Sequence, residues 1–409
     1  MKVRIDRIGA RGDGIADEGD EPVYVPLTAP GDVVEIALGA RRGDGRSAIL
    51  VDLLEAGPAR IDPACPHFGV CGGCVLQHLE GNVYLDWKRD RVREALARVR
   101  IETDIAPTIS VPPGTRRRVR LAFRKVAAGM LLGFRAAGSD RIVDVSACPI
   151  ACGDIVSLLP RLRGFLARHA NRGEVAVTLS DTGFDLLVSA DTPIALDLQL
   201  DAPEFCETAN VARLSWAAGK QPPEPLLDLR PARVSFGGIG VDLPADAFLQ
   251  PTKEGEAVLT GFVLTAAGSA RHIADLYAGC GAFALPLAAA GKVVHAVDNL
   301  ALQTRALLRA NPNVSQETRD LARQPLRPDE LTRFAAVVLD PPRAGAAPQI
   351  AEIAASAVPK VIYVSCNPAT FARDARVLVD AGFRLERVQP VDQFLWSAHV
   401  ELASVFRRP

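Results

Sequence analysis

The chain has 409 residues, 48% hydrophobic and 23% charged, too many for one ordinary core at ~100 to 200 residues per domain, so two or three domains are expected. Lys plus Arg number 47 against 48 Asp plus Glu, so whole-chain charge gives no reason to expect a polyanionic partner. No run of about 18 apolar residues occurs and the chain opens on charged residues, which argues against a membrane span or signal peptide and leads us to expect a cytoplasmic protein. Eight cysteines in such a chain are unlikely to form a disulfide framework; metal, cluster or catalytic roles are expected instead.

Residues 1–56 read as short strands broken by Gly and Asp turns, around 2–8, 21–26, 32–38 and 47–54, the pattern of a small β-barrel. From 57 to about 77 the composition turns to Pro, Gly and Cys without periodicity. Residues 84–99 have apolar positions at helical spacing and, with Arg100 just beyond, six cations, Lys88 and Arg89 among them, and read as a basic helix. Hairpin patterns around 116–145 and 174–190 flank a helix over 155–169, an α+β arrangement. The proline-rich stretch 219–233 reads as a linker.

Beyond about residue 246, strands and helices alternate: strands at 272–276, 292–297, 335–339 and 360–365, helices at 254–267, 282–290, 300–310, 348–357 and 370–381, and two closing strands. This is the pattern of a Rossmann-like doubly wound sheet, whose ligands bind beyond the strand C-terminal ends. The expected architecture is multidomain α/β: a TRAM/OB-like barrel (1–56), a central domain (57–235) and a doubly wound domain (236–409).

Three motifs sit at those strand ends. Asp275-Leu276-Tyr277-Ala278-Gly279-Cys280-Gly281 ends a strand and opens a helix, and Asp298 ends the next strand about 20 residues on, where it can accept from ribose hydroxyls. The third glycine of a dinucleotide fingerprint is missing, so an adenosine-bearing cofactor without a pyrophosphate, such as S-adenosylmethionine, fits. Asp340-Pro341-Pro342-Arg343 places a carboxylate on a loop stiffened by prolines. Ser365-Cys366-Asn367-Pro368 places a thiol before a helix N-terminus, which favours the nucleophilic thiolate. Separately, Cys65-x5-Cys71-x2-Cys74 in the coreless stretch, with Cys148 farther on, offers four thiolates for zinc or an iron–sulfur cluster, and spacing does not decide between them. Cys152 is an alternative fourth ligand; Cys206 and Cys280 read as packing residues.

Ser365 to Asp374, with Asp340 to Arg343, Phe248-Leu249-Gln250, Asp275-Leu276-Tyr277 and His399-Val400-Glu401, resembles the RNA uracil-C5 methyltransferases, in order over residues 248–401. Val23-Tyr24-Val25-Pro26 and Pro30-Gly31-Asp32 resemble the N-terminal barrel many of them carry. The resemblance implies Cys366 as the nucleophile adding to C6 of uracil, Glu401 as the base removing the C5 proton, and Gln250, Tyr277, Asp298 and Asp340 as contacts of S-adenosylmethionine. It also implies a [4Fe–4S] cluster on Cys65, Cys71, Cys74 and Cys148, and, since the cluster-bearing branch acts on large-subunit ribosomal RNA, 23S rRNA as substrate; a monomer is expected. The chain departs from the family pattern at Ala278, Ala282, Thr252 and Asp298, and in Gln393 to Ser397.

Arg116 to Lys125 holds six cations in ten residues beside Phe123, which suits phosphate and base contacts; a target uridine inside a folded site would have to be flipped out. Alternatives are a tRNA uracil-C5 methyltransferase, an RNA cytosine-C5 methyltransferase, whose second cysteine is missing from the Asp340 motif, and an RNA-binding or assembly factor on a catalytically weak fold.

Overall fold

The computed structural model describes residues 1–18 and 21–409. Three large sheets and a two-stranded hairpin, Arg233–Phe236 with Ile239–Asp242, carry the described residues. In the first, Lys2–Arg4 pairs with Val33–Arg42 and Arg7–Ile8 pairs with Gly14–Glu18, so the opening segment joins both ends of a six-stranded sheet. Its core is Val3, Ile5, Ala16, Val23, Val25, Val34, Ile36 and Ala48. The sequence reading finds four of these strand regions and misses Gly14–Glu18, whose Ala and two acidic residues have weak strand propensity.

The second sheet has seven strands in the order Ile142–Asp144, Gly129–Arg135, Arg118–Val126, Arg172–Ser180, Gly183–Ala190, Val211–Ala218, Glu224–Asp228. Helices Gly153–His169 and Leu196–Thr208 join its core, their Phe165 and Phe205 rings stacked at 4.1 Å. The stretch expected to be a linker contains a strand: Glu224–Asp228 pairs antiparallel with Val211–Ala218, its Pro225 on the sheet edge where a missing N–H costs no ladder bond.

The third sheet runs Ser315–Thr318, Val293–Asp298, His272–Leu276, Ala336–Leu339, Lys360–Ser365, Glu401–Arg407, Arg384–Asp392, Ile109–Ser110. Its first five strands are parallel, and Glu401–Arg407 runs antiparallel between Lys360–Ser365 and Arg384–Asp392. Fully buried valines and leucines such as Val337 to Leu339 are typical of strands covered on both faces.

The division of the chain at residue 235 is not clean in space. Helix Gly81–Arg98, placed by sequence in the central region, buries Val92, Ala95 and Leu96 in the same core as Phe371, Leu378 and Val388, and Ile109–Ser110 extends the third sheet beside Val391 and Asp392. Nor is that helix simply a solvated basic face: Lys88 is fully buried, and Arg89 donates to the Ile105 carbonyl at 2.6 Å. Among the described residues no helix is long and apolar enough to cross a membrane.

Candidate active site

The motif residues gather at the C-terminal edge of the third sheet. Ser365 is paired with Leu402, so the antiparallel register brings Cys366, one residue past its strand, out opposite Glu401. Leu339 pairs with Tyr363 on the other side, which sets Asp340 at the same edge. Asn367 caps helix Pro368–Asp380, accepting from the Ala369 amide at 3.1 Å, and its amide donates to the Arg343 carbonyl at 2.9 Å. The loops after Asp340 and Ser365 are thereby locked to each other.

A buried hydrogen-bond chain crosses the site. Gln393 Nε2 donates to Glu401 Oε2 at 2.9 Å and to Gln250 Oε1 at 2.8 Å, and Gln250 Nε2 donates to Asp340 Oδ2 at 3.0 Å. Gln250, Gln393 and Glu401 are each at most 3% exposed. Two amides thus tie two carboxyl groups together. Burial pushes Asp340 up to about 7, against the hydrogen bond from Gln250. Glu401 lies well above the usual carboxylate range because it is buried and faces Asp340. Beneath them Asp275 is fully buried and is raised by burial and by Asp340 and Asp298.

The thiol departs from expectation. A helix N-terminus should favour thiolate, yet burial, with Glu401 and Asp340 adding, pushes Cys366 up to about 11. Burial, with two facing carboxyl groups adding, outweighs a partial helix charge, and the opposing cation is Arg343. Its guanidinium donates to His399 Nδ1 at 3.0 Å, and burial and the cations Arg343, Lys88 and Arg116 lower the His399 pKa, so that ring is held neutral.

At the glycine turn after His272–Leu276, Tyr277, Gly279 and Gly281 all have positive φ, 64°, 55° and 97°. A strained tyrosine between strand and helix is a feature that functional sites keep. Asp298 accepts from the Gly279 amide and the Leu300 amide, both at 2.9 Å, so the carboxylate braces the glycine turn and keeps one lone pair on each oxygen for a ligand. The departure at Thr252 has a structural role: its hydroxyl accepts from the Gly255 amide at 3.0 Å and caps helix Lys253–Ala267, which an asparagine would do equally well.

Cys65, Cys71, Cys74 and Cys148 line one cavity of about 380 Å³ together with Arg116, Phe394 and His399. Burial and its three cysteine neighbours push Cys74 up to about 12. The four thiols share a cavity without forming a closed ligand set: among the described residues no three His, Cys, Asp or Glu side chains already make a metal-binding group. The donor set nevertheless suits a thiophilic metal or cluster, since mutual repulsion of four thiolates is what a cationic centre relieves. Cys152 lies instead at the start of helix Gly153–His169, and Cys206 and Cys280 are buried.

The basic decapeptide divides. Arg117 is buried, donating to the Gln250 carbonyl at 3.1 Å and to Glu256 at 2.6 Å, so it fixes the segment carrying Gln250 rather than facing a ligand. Arg118 and Arg120 share Asp246 at 2.9 and 3.5 Å. Arg120, Arg124 and Lys125 point outward. Sequence reasoning misses Gln393, Arg117 and Lys88 as site-builders; Gln393 stands inside the stretch that departs from the family pattern, and that departure is the one signal pointing to it.

A doubly wound sheet with a glycine turn braced by a carboxylate and a thiol at one edge defines a Rossmann-like methyltransferase fold. The family described as tRNA (uracil-5-)-methyltransferase matches residues 313–408. An uncharacterised RNA methyltransferase of Brucella suis is 42% identical over 416 residues, covering 100% of this chain and 98% of its own. The 23S rRNA (uracil(1939)-C(5))-methyltransferase RlmD of Dechloromonas aromatica is 31% identical, covering 99% of both chains. The crystal structure of Pyrococcus abyssi tRNA (uracil-54, C5)-methyltransferase with S-adenosyl-L-homocysteine superposes with a TM-score of 0.79 at 22% identity, over 99% of both chains. The chain belongs to the RNA uracil-C5 methyltransferases and is an S-adenosylmethionine-dependent enzyme of that class.

Proposed function

We propose that this enzyme methylates C5 of a uridine in 23S rRNA through a covalent adduct of Cys366. C5 of uracil is a poor nucleophile. Addition of the Cys366 thiolate to C6 forms an S–C6 bond and moves the ring electrons onto an enolate whose C5 is nucleophilic. S-adenosylmethionine, when bound, supplies the methyl group as a sulfonium. Glu401 then takes the C5 proton, the C5–H electrons re-form the C5–C6 double bond, and Cys366 leaves as thiolate.

The observation that carries this reading is the register that sets Cys366 opposite Glu401, with Gln393 and Gln250 joining Glu401 to Asp340. A base with a raised pKa suits proton removal near neutral pH, and Arg343 is the cation beside a nucleophile that must ionise. Gln250, Asp340, Tyr277 and Asp298 are the residues that would hold the cofactor at the sheet edge. Full-length likeness to a 23S rRNA methyltransferase favours ribosomal RNA. Likeness in fold to a tRNA methyltransferase keeps the second reading, a tRNA uridine. The cavity holding Cys65, Cys71, Cys74 and Cys148 supports a [4Fe–4S] cluster held by those four residues, structural because no step above transfers an electron. We read the enzyme as a monomer. The target uridine would be flipped out to reach Cys366. Mapping 5-methyluridine in 23S rRNA and tRNA of cells with and without the gene tests the substrate: loss from 23S rRNA alone is expected, and loss from tRNA alone would transfer the assignment.

A further inference from the structure

Fully buried lysines are rare because desolvating an ammonium is costly, and Lys88 is fully buried. It is not needed to fill space: helix Gly81–Arg98 already packs through Val92, Ala95 and Leu96, and an apolar side chain would occupy the same place. What sets Lys88 apart is where its three donors go. The ammonium donates to the Phe394 carbonyl at 3.3 Å and to the His399 carbonyl, and it is ion-paired with Asp392, whose Oδ1 lies 2.9 Å away. Those acceptors stand at the two ends of one segment, 393–400, which begins at Gln393 and delivers the chain to Glu401.

The same helix holds the middle of that segment. Tyr84 donates its hydroxyl to Asp392 Oδ2 at 2.6 Å and accepts from the Trp396 amide at 2.7 Å. From the other side, the Val75 and Leu76 amides of the cysteine stretch donate to the Trp396 carbonyl at 2.8 and 3.1 Å, and Trp396 is held at a φ of 54°. A single cation therefore closes the segment into a ring by joining its start to its end, and Gln393 stays in reach of both Gln250 and Glu401.

We propose that Lys88 is a positioning residue for the proton-removal step, holding the 393–400 segment so that Gln393 keeps Glu401 aimed at the C5 proton of the methylated adduct. The proposal rests on the reading of Glu401 as the base. Because Lys88→Met alone would strand the Asp392 charge and risk misfolding, the test uses the full-length double variant Lys88→Met/Asp392→Asn, in which Asn can still accept from Tyr84. Two measurements are made beside wild type and Glu401→Gln: amide hydrogen exchange, and turnover with SDS-stable adduct on unmodified 23S rRNA or tRNA transcript, whichever the wild type methylates.

The expected result is faster exchange over 393–400 with the sheet strands unchanged. S-adenosylhomocysteine should bind within about twofold of wild type, with a turnover loss of about tenfold or more and accumulation of methylated covalent adduct. Unchanged exchange over 393–400, or loss of adduct formation and cofactor binding in step with turnover, would overturn the proposal. Should Glu401→Gln itself fail to accumulate adduct, the failure falls on the base assignment, and the exchange result alone judges Lys88.

Discussion

Gln393 and Glu401 are eight residues apart in sequence and 2.9 Å apart in space, and the same Gln393 nitrogen that donates to Glu401 donates to Gln250. One amide thus couples the proposed base to the residue that holds Asp340. Gln393→Leu removes both donors and leaves the buried Glu401 carboxyl without its partner, at a cost of about 1–3 kcal/mol. Thermal unfolding at neutral pH should show the loss, with turnover falling further than cofactor affinity.

Cys366→Ala should lower methylation by about 1000-fold or more while leaving S-adenosylhomocysteine binding intact. Glu401→Gln should form the adduct and fail to resolve it, giving an RNA–protein band stable in SDS. Methyl transfer persisting in Cys366→Ala would end the covalent mechanism.

Asp340 in the folded protein titrates near 7 against an ordinary 3.8. The folded state therefore holds more protons than the unfolded one between those values, and the free enzyme loses stability as pH rises through about 4 to 7. Asp340→Asn keeps an acceptor for Gln250 and has no charge to bury. It should match wild type in thermal stability near pH 4 and exceed it by a margin that grows to about 2–4 kcal/mol above pH 7, while binding cofactor less well. A difference that shrinks with rising pH would contradict this.

Arg117 and Arg124 should behave oppositely despite standing in one basic run. Arg117→Met strands the buried Glu256 and should cost about 3–5 kcal/mol of stability. Removing the outward Arg120, Arg124 and Lys125 together should leave unfolding unchanged and flatten the salt dependence of RNA binding by about 0.7–0.9 for each phosphate no longer neutralised.

For the cysteines, protein purified without oxygen should carry iron and sulfide at the ratio of one [4Fe–4S] cluster, and Cys74→Ser should lose both along with the visible absorption. Zinc in place of iron would replace the cluster with a structural metal.

What the sequence reveals is local. Strand-turn-helix units over 272–365 and the residues at their ends are legible because periodicity and turn residues lie within a few positions of one another. Lys88, Arg117 and Gln393 are not, because what they do depends on partners 311, 133 and 143 residues away, and a cation in a helical or strand pattern is by default a solvated one. The ionisation of Cys366 escapes a sequence reading for the same reason: its helix cap is adjacent in sequence, whereas the burial that opposes the thiolate, and the Glu401 and Asp340 carboxyl groups that add to it, come from other strands.

Tyr84 meets Asp392 across 308 residues, and Ile109–Ser110 completes the sheet beside a strand that ends at that same Asp392. During synthesis the N-terminal sheet, the cysteine stretch and helix Gly81–Arg98 leave the ribosome long before the last strand and helix of the third sheet. The helix therefore waits with its apolar face uncovered until the helix carrying Phe371 and Leu378 and the strand carrying Val388 have emerged, and a chain cut before residue 368 would lack both.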